Sequence, residues 1–357
     1  MHPRHLCLLA ALAGCSAAAA RPGDGGRGAQ PSRVPTLTAQ LSGTSNRLQA
    51  VSPVSDLVVW ASGTGGTYAV TTDGGDTWRS GVVPGADSLE FRDVEAVSER
   101  IAYLLAAGPG DRSRIYKTED AGRSWSLQFT GRDTSAFYDC FAFWDERRGF
   151  TMSDAVAGRF PVVRTSDGRT WSDIGERLPP AQAGEGAFAA SGTCTAAVGD
   201  RHGWIATGAA PRARVLANGD GGDTWRAYAV PVVEGSGASG GITIEFRDTL
   251  NGLLGGGDIA APDSPAANVA RSRDGGRTWL LATPTPFPGA IYGLAYVPGP
   301  ESRIVVATGP RGAAWTADEA ASWVLLEGVG DYWAVAFASP GAGWLVGTEG
   351  RILKIAF

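Results

Sequence analysis

Short stretches in which apolar and polar residues alternate recur along the whole chain, and no long amphipathic helical pattern interrupts them. Phe91-Arg92-Asp93-Val94-Glu95-Ala96-Val97 alternates in this way, and so does Tyr332-Trp333-Ala334-Val335-Ala336-Phe337. A period of two predicts half-buried strands. Each such strand is followed by a second that often ends in glycine, as at 101–108, 204–208, 304–309 and 344–347. A third runs into a repeated Asp-containing turn, and a fourth leaves from the Trp that closes it. First strands placed near Leu48, Phe91, Phe137, Phe188, Ile242, Ile291 and Trp333 give seven units of four strands.

The turn is the most regular feature. Thr71-Thr72-Asp73-Gly74-Gly75-Asp76-Thr77-Trp78 returns around Asp120, Asp220 and Asp274, in a copy one residue shorter around Asp167, and in a worn copy around Asp318. These aspartates stand 44 to 54 residues apart, a period that belongs to propellers and other repeat arrays. Asp can accept a bond from the backbone just ahead of it, and the glycine after it takes a positive φ without steric cost. The six aspartates are therefore structural turn acceptors. A calcium loop would need more oxygen ligands than Asp73 and Asp76 offer. The pattern resembles the Asp-box, or BNR repeat, of sialidases and related propellers, where it joins the third and fourth strands of a blade.

The seventh unit has no such turn. Residues 351–357 supply its third strand, and the missing fourth is available at the other end, in Thr36-Leu37-Thr38-Ala39-Gln40-Leu41. The expected fold is all-β: a seven-bladed β-propeller with four-stranded blades, spanning 36–357 and closed by the N-terminal strand. Closure of this kind removes the open sheet edge.

Ahead of the propeller lies an address. Arg4, the apolar run 6–12 and Leu12-Ala13-Gly14-Cys15 look like a bacterial lipobox over residues 1–15, with lipid attached at Cys15. The alternative is an ordinary secretory signal cut near 17–20. The run is too short to span a bilayer. Residues 16–35, rich in Pro, Gly and small side chains, are expected to be a flexible linker. The expected location is the periplasmic face of a bacterial membrane, with a lipid anchor as the only membrane contact. Acids outnumber bases 36 to 31, which gives no basic surface for nucleic acid. Cys140 and Cys194 fall in neighbouring first strands. An exported chain permits a disulfide, but two buried free thiols are slightly favoured, since adjacent inner strands need not bring the Cα atoms within about 7 Å.

Further stretches carry a more specific resemblance. Phe91-Arg92-Asp93, Gly158-Arg159-Phe160 and above all Gly184-Glu185-Gly186-Ala187-Phe188-Ala189-Ala190-Ser191-Gly192-Thr193 resemble a bacterial branch related to the plant photosystem II stability/assembly factor. The resemblance covers nearly all of 36–357 and implies a seven-bladed propeller that binds a protein and is not an enzyme. Members of the branch often carry an oxidoreductase label, but Gly255-Gly256-Gly257 opens no helix and is no dinucleotide fingerprint.

Candidate chemistry gathers at the first-strand starts, which in a propeller ring one mouth of the central channel. Arg92, Asp93, Tyr138, Asp139, Glu185, Glu245, Arg247, Tyr292 and Trp333 make a polar, aromatic-lined binding site for a protein or peptide; each acid could instead cap a strand or pair locally, as Asp93 with Arg92 and Asp248 with Arg247. A sialidase would need an Arg-Ile-Pro motif well before the first turn. The nearest match, Arg159-Phe160-Pro161, belongs to the third strand of a blade. After a leader is removed His202 alone remains, read as a solvated loop residue, so a catalytic triad or His-rich metal site lacks material. No catalytic residue, metal or cofactor is expected, and the chain is expected to act as a monomer. The runner-up is a carbohydrate-active propeller with two mouth carboxylates facing a cleft.

Overall fold

The computed structural model describes residues 34–265 and 267–357. The expected signal segment, Cys15 and nearly all of the expected linker lie outside the described residues. Seven four-stranded antiparallel sheets follow one another in chain order. Blade 1 begins at Leu48, because the strand before it in the chain, Thr36–Leu41, belongs to the last sheet. Numbered in chain order, β1 is Thr36–Leu41, and blade 1 is β2 to β5, Leu48–Pro53, Val59–Gly63, Thr67–Thr71 and Arg79–Val82. Blade 2 is β6 to β9, Phe91–Ala96, Ala102–Ala106, Arg114–Thr118 and Ser126–Thr130. Blade 3 is β10 to β13, Tyr138–Phe143, Gly149–Ser153, Val162–Thr165 and Ser172–Asp173. Blade 4 is β14 to β17, Thr195–Val198, His202–Thr207, Arg214–Asn218 and Arg226–Ala229. Blade 5 is β18 to β21, Ser239–Phe246, Gly252–Asp258, Val269–Ser272 and Leu280–Leu281. Blade 6 is β22 to β25, Gly293–Tyr296, Val305–Gly309, Gly312–Thr316 and Val324–Leu325. Blade 7 is β26 to β28, Tyr332–Ser339, Ala342–Gly347 and Arg351–Ala356, completed by β1.

The closing pair is antiparallel, with Thr36 opposite Ala356 and Leu41 opposite Arg351. First strands neighbour one another around a ring, and β2 of blade 1 meets β26 of blade 7. Among the described residues no helix is long and apolar enough to cross a membrane.

The Asp turns hold the blades internally and to each other. In blade 1 Asp73 accepts bonds from the Thr77 amide (2.9 Å) and hydroxyl (2.5 Å), while the Thr71 hydroxyl donates to Asp73 and accepts from the Gly75 amide (3.0 Å). Asp120, Asp167, Asp274 and Asp318 repeat the scheme. Asp220 accepts the Thr224 amide and hydroxyl in the same way, but Asn218 replaces the first hydroxyl and accepts the Gly222 amide (2.9 Å) through Oδ1. Gly74 and Gly75 sit at φ +77° and +91°, where the worn copy instead forces Glu319 and Ala320 into the left-handed region at +54° and +65°. A second role was not legible in the repeat. The residue after each Asp, or the next in blade 2, offers its carbonyl to the preceding blade. Tyr68 donates to Gly122, Tyr103 to Gly168, Arg164 to Gly221, Trp204 to Gly275 and Arg271 to Glu319. Lys354 of blade 7 and Gln40 of β1 both donate to Gly74 and so latch the last blade to the first. The turn's Trp packs in the same seams: Trp125 lies edge-on to Trp60, and Trp225 to Phe150, with centroids 6.2 and 5.2 Å apart.

Candidate functional site

In a four-stranded meander the turn between third and fourth strands lies at the end where the first strand finishes. First strands therefore begin on the face opposite the Asp turns. Five of them carry a bulge near that beginning, at Gln49, Arg92, Asp139, Ile242 and Trp333, where the partner strand skips one residue. A bulged residue leaves the ladder and is re-aimed. Gln49, Arg92, Asp139 and Trp333, together with Tyr292 just ahead of β22, line one cavity of about 640 Å³ at the channel mouth.

Blade 4 contributes differently. Phe188 was expected in its first strand, but β14 starts only at Thr195; the stretch before it crosses the mouth instead. The Ser191 hydroxyl donates to the Tyr292 carbonyl (2.5 Å), Arg92 donates to the Ala189 carbonyl (3.3 Å), and the Ala187 amide donates to Asp154 (3.1 Å). Small residues make the crossing possible: a Cβ on Gly186 would lie 1.9 Å from Asp154 Oδ1, and one on Gly192 would lie 2.3 Å from Asp93 Oδ1. Beyond the crossing Thr193 bonds Thr243 (2.8 Å), and Cys194 is disulfide-bonded to Cys140. This corrects the slight preference for free thiols. β10 of blade 3 and the end of the crossing just ahead of β14 bring the Cα atoms to 5.9 Å, and the Cys194 amide also donates to Cys140 Sγ (3.2 Å).

The mouth mixes rings and charges. Arg47 lies 5.1 Å from the Trp333 ring centre, and Tyr292 meets Trp333 edge-on at 5.5 Å. Arg92 makes two bonds to Glu90 (2.7 and 3.0 Å) and stands 5.9 Å from the Phe137 ring. Asp139 lies in β10 and Asp154 directly follows β11 of the same blade, where Tyr138 pairs with Ser153. Burial raises the Asp139 carboxyl well above the usual range, and Asp154 adds to the rise while Arg92 opposes it. Burial also pushes Asp154 up, to about 6. Gln49 Oε1, Asp139 Oδ2 and Arg47 Nε are buried without a hydrogen-bond partner. Arg47, Gln49, Phe137, Asp154 and Phe188 are mouth residues that the sequence reading did not single out. The bulge carries no signature in a single strand's alternation, so Gln49 could be found only by aligning it with Arg92 and Asp139.

Four expected mouth residues stand elsewhere. Asp93 follows the bulge, turns into the seam and accepts the Phe141 amide (2.8 Å) of the next blade; Arg92 pairs with Glu90, not with it. Tyr138 precedes the bulge and points outward, edge-on to Phe129 at 5.0 Å, in a separate cavity of about 930 Å³ between blades 2 and 3. Burial pushes its hydroxyl up to about 12. Glu245 lies near the end of β18, not its start, because that strand begins at Ser239. Arg247 follows β18 on the Asp-turn face, paired with Asp248 (3.0 Å) and with Glu319 (2.6 Å) of the blade 6 turn. Glu185 does border the mouth, but its carboxylate is fully buried. It is occupied by Arg214, the Thr207 hydroxyl (2.7 Å) and the Gln182 amide (2.8 Å), so it anchors the crossing. His202 opens β15 and stacks toward Trp204. Gly255 to Gly257 lie within β19, and Arg159, paired with Asp173, sits at the outer cavity.

No protein-family model and no curated protein matches the sequence. Solved structures do. YCF48 bound to a D1 peptide superposes with a TM-score of 0.61 at 14% identity, over 90% of this chain and 97% of that one. YCF48 from Cyanidioschyzon merolae gives 0.60 at 15% identity, over 90% and 98%. The GH74 xyloglucanase from Xanthomonas campestris gives 0.61 at 14%, over 89% of this chain and 53% of its own. The chain is a seven-bladed propeller with the fold of YCF48 and of about half of a GH74 xyloglucanase, which is the fold expected from its sequence.

Proposed function

We propose that this propeller binds a protein or peptide partner at the channel mouth, in the manner of a scaffold or assembly factor. One observation carries the reading: bulges in four blades turn Gln49, Arg92, Asp139 and Trp333 into a single cavity that the crossing at 184–193 lines on another side. Rings for apolar side chains, guanidiniums for carbonyls and unpartnered acceptors for amides suit a polypeptide. A solved YCF48 structure of the same fold holds a D1 peptide, which supports the reading. Selection of a displayed random heptapeptide library on the protein, with counter-selection on Arg92→Ala/Trp333→Ala, tests it. We expect peptides that bind the wild type at least 10-fold more tightly than the variant. Peptides that bind both equally would place recognition elsewhere.

A carbohydrate-active reading is favoured by the Asp139–Asp154 pair and by the GH74 neighbour. Its weakness is geometric, since both carboxylates come from one edge of one blade, Asp139 in β10 and Asp154 just after β11, and do not flank a scissile bond from opposite sides. The reading also includes export, with lipid attached at Cys15. The lipobox-like sequence supports it, and so does the Cys140–Cys194 bridge, a bond typical of oxidising compartments. Wild-type protein is expected in the detergent phase on partitioning and Cys15→Ala in the soluble fraction or unprocessed; equal partitioning would contradict the anchor.

A further inference from the structure

We propose that the Asp139–Asp154 carboxylate pair is the seat for a lysine side chain of the bound peptide, an inference that rests on the peptide-binding reading above. The two residues adjoin in blade 3 and line the same cavity. Asp139 is 1% exposed, and its Oδ2 has no hydrogen-bond partner. Asp154 holds the crossing through one oxygen, which accepts the Ala187 amide.

A buried carboxylate pair ordinarily has a cation beside it. Among the described residues neither Asp139 nor Asp154 takes part in an ion pair, and the neighbouring guanidiniums are engaged. Arg92 acts on Asp139 only from a distance and is bonded twice to Glu90, Arg47 reaches the same Glu90 carboxylate (4.0 Å), and Arg214 is held by Glu185. The positive charge that would let both carboxyls ionise is one that a ligand brings.

Its chemistry follows from the surroundings. Among the described residues no three His, Cys, Asp or Glu side chains gather as metal ligands, and two carboxylates fall short of the six to eight oxygens that a calcium ion takes. The cavity walls near the pair include Phe137 and Phe188, which suit an aliphatic stem and favour a cation over their faces. Two separate carboxylates match the three divergent donors of an ammonium better than the planar fork of a guanidinium, which prefers both oxygens of one carboxylate. Burial holds both acids toward the protonated form, with Asp154 adding to the rise at Asp139, and a bound ammonium would restore their charge.

The test uses heptapeptides selected on the full-length protein as described above, synthesised with lysine intact, replaced by norleucine or acetylated. Affinities are measured by titration calorimetry at pH 8 and low salt on the wild type, Asp139→Asn and Asp154→Asn, each checked for folding by its melting temperature. We expect lysine in most selected peptides, a loss of at least 10-fold on the norleucine or acetyl-lysine swap, and little further loss from that swap in either Asn variant. The swap on wild-type protein remains decisive even if an Asn variant misfolds. Mouth-binding peptides that tolerate norleucine would overturn the lysine seat and leave peptide binding intact. If no peptide distinguishes the wild type from Arg92→Ala/Trp333→Ala, both inferences fall.

Discussion

Asp73 and Asp120 are held down to about 2 by the hydroxyl and amide of the residue four places on, while burial pushes Asp154 up to about 6. The two kinds of aspartate act on stability in opposite directions. A lowered carboxyl stabilises the fold above about pH 4, and that contribution is lost as pH falls through its folded value. A raised one is without penalty below about pH 4 and costs stability as pH rises through about 6. Asp154→Asn should therefore stabilise the protein at pH 8 by about 1–3 kcal/mol and flatten its melting temperature between pH 4 and 7. Asp274→Ala should cost about 1 kcal/mol at pH 7, since the Thr278 amide and hydroxyl lose their acceptor. Its deficit should shrink as the pH falls below the ordinary carboxylate range, because the Asp274 carboxyl is held down. Thermal unfolding across pH checks both, and an Asp154→Asn protein that melts lower at pH 8 would contradict the assignment. The Asp-turn role was readable because it is local. The latch between blades was not, because its donors, such as Tyr103 and Trp204, lie about 65 to 71 residues away from the carbonyls that they meet.

Among the elements, β1 has the largest consequence. It supplies the outer strand of blade 7, and its Gln40 accepts both Trp78 and Trp344 (each 3.1 Å) while donating to Gly74. Removing residues 16–42 should lower stability by roughly 3 kcal/mol or more, since a ladder, a half-buried polar network and the seam between blades 7 and 1 go together. An unchanged melting temperature would mean that β1 contributes nothing to closure. This pairing was legible from counting strands and turns, because a unit lacking its turn must find a fourth strand elsewhere. Residues 184–193 were not legible as a crossing. Their apolar residues around Phe188 read as a strand, and only the density of Gly and Ala, needed where the chain passes within contact of Asp154 and Asp93, hinted otherwise.

At the scale of the whole molecule, the ring brings to one opening residues that stand far apart in the chain. Gln49 and Trp333 meet there because blade 7 closes on blade 1, and Ser191 reaches Tyr292 because the crossing spans the channel mouth. A repeat count places first-strand starts around a mouth, but a one-residue bulge decides which side chain enters it. That is why Arg92 and Asp139 face the cavity while their neighbours Asp93 and Tyr138 turn into the seams. The central claim is that this mouth is where a polypeptide binds. Hydrogen–deuterium exchange with and without a saturating selected heptapeptide tests it most directly. We expect new protection in residues 184–193 and at the starts of β2, β6, β10 and β26, with the Asp-turn face unchanged. Protection confined to the outer cavity around Tyr138 and Trp171, or to the Asp turns, would contradict the account.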